Sequence, residues 1–460
     1  MRIFIKLLLA ASAHALVFGG IAVAADSAVP LAGGGAYTLK DTVDITLKHN
    51  PNLKSLQEFR QSSSFDRNTA RSGFFPSLDA DAGIGFEQWN DTTTRSGTPG
   101  TQNRYTYHKR ADVTVSLAQT IWDGFGSWSL YRMADANLVS AEHRLFDNAE
   151  GLALAAVTAH MEVLRQQKMV QLSELNLSNH QRILGSQLER EKAGASTHAD
   201  VTQTQARTAN AETALVESKL AYESALYSYK RLTGQLPGQL MPATAPNETF
   251  SSLNNIITGN LGNNSQILAK RADLDSASAR YDMDKSAFHP RIYLEATYNY
   301  SDQAQSSPDF SWGSAFMLRG QWNLFNGTYD WYNIKASDAR YRQQGMELIA
   351  LRDNLIKETS STWSEWQALI QQVTFLNNAV VYNTQTRDMY MQQFNVGSRS
   401  LLDVLDSENE LYTTSMQLVS AQQNEIAAQY RLLTLAGRIL DAFAVDRKSL
   451  TPETQDTEDN

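Results

Sequence analysis

The sequence predicts a mainly α-helical chain that also supplies strands to a membrane β-barrel, built twice over by tandem duplication. Three observations predict it: residues that recur at fixed offsets, two long stretches free of proline, and short segments of strict apolar/polar alternation between them. Pro76 and Pro290 stand 214 residues apart, as do Asn50 and Asn264, Ser72 and Ser286, and Phe74 and Phe288. Further along the offset becomes 203, pairing Gly124 with Gly327, Glu162 with Glu365, Gly194 with Gly397, Asp200 with Asp403 and Gly234 with Gly437. An offset held over more than a hundred residues marks two copies of one unit, and its change by 11 assigns one length difference to a loop between strands.

The chain is expected to begin with a segment that is removed. Arg2 and Lys6 precede an apolar run from Leu7 to Ala24 that ends in a small-x-small pattern, so residues 1–25 read as a secretory signal peptide. The 460 residues contain no cysteine, which excludes a disulfide framework and a lipid-acceptor thiol. Beyond the leader no run of 18 apolar residues remains, so entry into a membrane would require a barrel. With 40 basic and 49 acidic residues and no basic block, nucleic acid is not an expected partner.

The first repeat is expected over residues 26–234 with a hairpin at 77–122, and the second over 251–440 with a hairpin at 291–325. Between them, Pro237, Pro242 and Pro246 mark a linker at 235–250, and residues 441–460 read as a polar tail without structure. No proline occurs from Gly100 to Leu236 or from Asp309 to Thr451, which leaves room for long helices. Each span has one break, Lys192-Ala-Gly-Ala-Ser196 and Val396-Gly-Ser-Arg-Ser400, where Gly ends one helix and Ser starts the next. Helices from Ser127 to Glu191 and from Tyr329 to Asn395 would each be about 100 Å long at 1.5 Å per residue. The helix after the second break carries Leu405, Tyr412, Val419, Ile426, Leu433 and Leu440 at heptad spacing, beside a second apolar row, as a coiled coil requires.

The strand segments distinguish this chain from a plain coiled-coil scaffold. Leu78, Ala80, Ala82, Ile84 and Phe86 alternate with Asp79, Asp81, Gly83, Gly85 and Glu87, and Ile292, Leu294, Ala296, Tyr298 and Tyr300 alternate with Tyr293, Glu295, Thr297 and Asn299. Such alternation over about ten residues is that of a barrel strand, apolar toward lipid and polar toward the lumen. Four strands cannot close a barrel, so the chain is expected to oligomerise: two copies would give eight strands and three copies twelve, with threefold symmetry preferred.

The segment Val396-Gly-Ser-Arg-Ser-Leu-Leu-Asp-Val-Leu-Asp406, followed by Glu408-Asn-Glu-Leu-Tyr412, resembles a turn of the TolC family of outer-membrane channel proteins. Ala193-Gly-Ala-Ser-Thr-His-Ala-Asp-Val201 resembles the matching first turn. The resemblance implies a homotrimer in the outer membrane, with a twelve-stranded barrel and an α-helical tunnel across the periplasm. It also implies a periplasmic adaptor and an inner-membrane partner, either an ABC transporter or a proton-driven pump. By the same resemblance Asp403 and Asp406 form an aspartate gate, and Arg399 and Asp200 form a constriction network. The turns Gly194, Ala195, Ser196, Gly397 and Ser398 meet the adaptor. Phe394 stands where the family's network uses a tyrosine, so one hydrogen bond is expected to be missing.

An enzyme is not expected. No zinc-protease, nucleophile-elbow or phosphate-loop motif occurs, and the histidines, His160 among them, are scattered singly. No catalytic residue, metal ligand or cofactor site is expected. The function that follows is an exit duct for unfolded polypeptide in type I secretion, with small-molecule efflux as the alternative.

Overall fold

The computed structural model describes residues 36–89, 106–246, 250–302 and 310–451. Helices α1 (Leu39–His49) and α2 (Pro51–Ser72) lead into strands β1 (Ser77–Trp89) and β2 (Thr106–Trp122). The chain then runs through α3 (Gly126–Lys192) and returns in α4 (His198–Thr233). The second repeat follows the same plan: α5 (Ser265–Lys285), β3 (Arg291–Asp302), β4 (Phe310–Gln321), α6 (Tyr329–Asn395) and α7 (Leu401–Leu435). Helices α3 and α6 each have 67 residues and start 203 positions apart, so the duplication is one of structure. It is imperfect at one place: where the first repeat has α1, the second has a helical turn, a π-helical turn at Ile256–Asn260 and a 3₁₀ turn at Leu261–Asn263.

The two long helices run the length of the helical part, and shorter ones flank them at both ends. Near the sheet the helices lie in the order α2–α3–α5–α6, and toward the far turns in the order α4–α3–α7–α6. Where these layers meet, α1, the start of α2, α3, α7 and the C-terminal segment share the main core of Val43, Leu53, Leu145, Ala149, Val157, Leu433 and Ile439. His160 is buried there, with Nδ1 2.8 Å from the Thr42 hydroxyl and Nε2 2.8 Å from the Met241 carbonyl. It joins α1, α3 and the linker, a structural role.

The expectation of an unstructured tail fails over its first ten residues. Two further turns, α8 (Ile439–Ala442) and α9 (Arg447–Leu450), fold back on the core, where Phe443 and Leu450 are buried. Arg447 donates to the Gly437 carbonyl at 2.8 Å and reaches Glu150 at 3.3 Å. Counting polar residues missed this because Phe443 and Leu450, with Val445 packed beside them, suffice to dock a short strap. The leader, the hairpin-loop segments 90–105 and 303–309, and residues 452–460 lie outside the described residues.

The sheet is antiparallel in the order β1–β2–β3–β4. Its register sets Leu78 opposite Leu117, Val115 opposite Tyr298 and Ala296 opposite Phe316, so one face is apolar across all four strands. That face is bare in the single chain: Ile84 is 88% exposed, Phe86 85% and Phe316 75%. The other face carries the polar set, with Arg110 held between Glu87 at 2.6 Å and Asp112 at 2.7 Å. The second hairpin stops at Gln321, short of the expected 325. Its partner strand begins at Arg291 because Pro290 has no N–H to continue the ladder, and Trp322 instead donates to the Phe288 carbonyl at 3.2 Å.

Among the described residues no helix is long and apolar enough to cross a membrane.

Candidate functional site

The far ends of the long helices are closed by two turns of the same construction. Gly194 and Gly397 adopt φ of 71° and 80°, a left-handed conformation that costs an L side chain about 1 kcal/mol or more. The following amides close the helix ends: Ala195 N–H donates to the Arg190 carbonyl at 2.8 Å, and Ser398 N–H to that of Gln393 at 2.9 Å. A Cβ at either glycine would meet nothing within 4 Å, so backbone conformation alone selects glycine here. Gly194, Ala195, Gly397 and Ser398 are exposed at the tips, whereas the Ser196 hydroxyl turns inward to donate to Gln187 at 2.8 Å.

The next helices start from matching caps. The Thr197 hydroxyl accepts from the Asp200 amide at 3.2 Å, and the Asp200 carboxylate accepts from the Thr197 amide at 3.2 Å and hydroxyl at 2.8 Å. These bonds, with the Thr197 hydroxyl foremost, hold the Asp200 carboxyl below the usual carboxylate range. In the second repeat the Ser400 hydroxyl accepts from the Asp403 amide at 3.2 Å. The aspartates recur 203 positions apart because both are third residues of a capped helix.

Within one chain Arg399 and Asp200 do not meet. Arg399 forms an ion pair with Asp403 at 3.0 Å, one turn away, and its guanidinium lies 3.8 Å from the centre of the Tyr390 ring. Asp406 takes a different cation, Arg207 of α4, at 3.0 Å. Phe394 is buried among Ile183, Leu401, Val404 and Leu405; Arg190 lies 4.4 Å from its ring centre and donates to its carbonyl at 3.3 Å. Sequence reading missed Arg207, Arg190 and the buried Glu408, which accepts from Asn179 of α3 and Arg387 of α6, both at 3.1 Å. One signal was available: Arg207 stands seven residues after Asp200, two turns along the same helix face.

Among the described residues both lateral edges are open, and strands β1 and β4 each have a side without a strand partner. The flanking helices carry bare apolar residues, Val216, Leu220 and Tyr227 on α4 and Ile349, Phe375 and Tyr382 on α6, each more than half exposed. A model of the outer membrane efflux protein family matches residues 42–235 and 257–438 of this chain, both repeats.

The chain belongs to that family. It is 25% identical to the outer membrane efflux protein BepC of Brucella suis biovar 1 over 348 residues, 75% of each chain. It is 21% identical to the outer membrane protein TolC of Vibrio cholerae, covering 89% of this chain and 93% of that one. It is also 21% identical to the proteases secretion protein PrtF of Dickeya chrysanthemi, covering 89% and 90%. The fold matches a solved structure of CusC with a TM-score of 0.77 at 14% identity, covering 88% of this chain and 95% of that one. As a member of this TolC-like family the protein is an outer-membrane channel with a periplasmic helical part, and the family serves secretion and efflux complexes. The family is one of transport ducts.

Proposed function

We propose that the chain works as a homotrimeric exit duct of a type I secretion system, passing unfolded polypeptide across the periplasm and outer membrane. The observation that carries the duct reading is the pair of open edges. Joining the β4/α6 edge of one copy to the β1/α4 edge of the next buries the bare apolar helix faces and pairs the free strands. Such a head-to-tail contact closes into a ring, and three copies give twelve strands, wide enough for a lumen. An unclosed edge in lipid would leave backbone groups unpaired at several kcal/mol each.

The exposed turns at Gly194–Ser196 and Gly397–Ser398 then face the periplasmic adaptor, and Asp403 and Asp406 ring the entrance. The energy source is an inner-membrane ABC transporter. Secretion is supported by the near full-length likeness to PrtF, a protein named for protease secretion. The likeness to BepC, named as an efflux protein, supports a second reading, the channel of a tripartite efflux pump with a proton-driven partner. Deleting the gene separates the two. Secretion requires that a polypeptide disappear from the culture medium while tolerance to small toxic compounds is unchanged. Lost tolerance with an unchanged set of secreted proteins decides for efflux.

A further inference from the structure

Ion pairs between helices fix heights along the molecule. Arg60 reaches Glu142 and Arg67 reaches Asp135, so α2 runs against α3 with Gln57 level with Leu145. Within one turn of α5, Asp273 meets Arg144 of α3 and Lys270 meets Glu347 of α6, which sets Leu348 at that same height. There a groove of about 470 Å³ lies between α6, the start of α5 and the π-helical turn. Its lining is apolar at Ile257, Leu261, Leu348 and the 56% exposed Ile349, and includes no acidic residue among those described. Arg271 and Arg352 complete it, both exposed and, among the described residues, without an ion-pair partner.

We propose that this groove receives residues 452–460 of the neighbouring copy, the acidic tail that follows the strap. The inference rests on the trimer reading given above. Near the sheet α2 and α6 are the outermost helices, so in the ring α6 of one copy adjoins α2 of the next, and rotation about the ring axis leaves heights unchanged. Leu450 is pinned to that α2, its carbonyl accepting from Gln57 at 3.0 Å, so the tail leaves its own copy level with the groove on the next. Packed helices lie about 8–10 Å apart, and nine residues reach up to about 30 Å. The tail carries Glu453, Asp456, Glu458 and Asp459 and no basic residue. Guanidinium groups take carboxylates in paired hydrogen bonds, and two of them beside an apolar lining outmatch Lys54, an exposed ammonium one turn from Gln57 on the tail's own copy. Each copy thereby ties itself to the next.

The chain has no cysteine, so introduced pairs report alone. Full-length trimer in mild detergent carrying Thr457→Cys and Ile349→Cys is expected to cross-link into species of two and three chain masses. Co-expressed chains with one cysteine each should give covalent dimers. Adding R271E/R352E should slow cross-linking about fivefold or more, the reach of an exposed ion pair, and 1 M NaCl should slow the unmodified pair because the screening length falls to about 3 Å. Both arginines are exposed, so the exchange leaves folding intact, which the unchanged trimer mass confirms. A rate unaltered by R271E/R352E, or Thr457→Cys joining Lys54→Cys within one chain in place of Ile349→Cys, overturns the proposal. A trimer whose copies do not cross-link removes the tail's seat and leaves the ring standing, whereas a single-chain mass in mild detergent overturns the trimer reading and the seat with it.

Discussion

Glu150 is an acid buried where α3 meets the start of α5 and the C-terminal strap. Its side chain is 2% exposed; it accepts from Ser265 at 3.0 Å and faces Arg447 at 3.3 Å. Burial outweighs both partners, with Asp147 and Asp441 adding repulsion, and pushes its carboxyl up to about 7. For an acid raised above its ordinary value of 4.5, the folded state binds the proton more tightly, so its stabilising contribution is full below pH 4.5 and fades as pH rises to 7. The loss is on the order of 3 kcal/mol. Melting followed by circular dichroism between pH 4 and 8 should show wild type losing more stability across that range than Glu150→Gln. Equal slopes would place the proton elsewhere. At the entrance, replacing Asp403 and Asp406 together by Ala is expected to reduce cation preference and relieve block by multivalent cations in planar-bilayer recording. Unchanged selectivity and blocker affinity would make them a solvated helix face.

Among the elements, the C-terminal strap of α8 and α9 is short and attaches to residues far away in sequence. Leu450 is buried in the main core, and its carbonyl accepts from Gln57 of α2 at 3.0 Å. Phe443 stacks on Tyr430 with ring centres 5.5 Å apart. The strap therefore ties the end of the second repeat to helices of the first. Leu450→Ala should cost about 2 kcal/mol or more, the range of buried Leu truncations, and lower the melting temperature. Limited proteolysis should then cut after Gly437 while the turns at Gly194 and Gly397 stay intact, and an uncut strap would argue that Leu450 contributes little.

For the whole molecule, the open edges dictate the expected mass. In mild detergent the protein should have three times the chain mass, and removing detergent should precipitate it because the apolar sheet face has no other cover. A folded monomer soluble without detergent would contradict the ring. Aspartate substitution at Phe375 or Tyr382 of α6, both more than half exposed in one chain, should leave the chain's helix content unchanged and weaken association. Gel mobility of unheated samples and circular dichroism read the two effects separately.

Much of this was legible in the sequence because the interactions that decide it are local. Alternation set the faces of β1 to β4, proline-free spans set α3 and α6, and Gly194 and Gly397 with Thr197 and Ser400 set the turns. Each depends on residues within a few positions of one another. The capping role of Asp200 was open to the same kind of reading, as a Thr-x-x-Asp box. Tertiary structure alone decided which charges meet. Arg207 and Asp406 are 199 positions apart, and Glu150 lies inside the first repeat whereas Arg447 lies beyond the end of the second. The pairing of Arg399 inside its own helix pair, away from Asp200, follows from how α4, α3, α7 and α6 are ranked side by side. A guanidinium has several carboxylates within its chemical means, and only the packing register of the helices brings one of them to 3 Å.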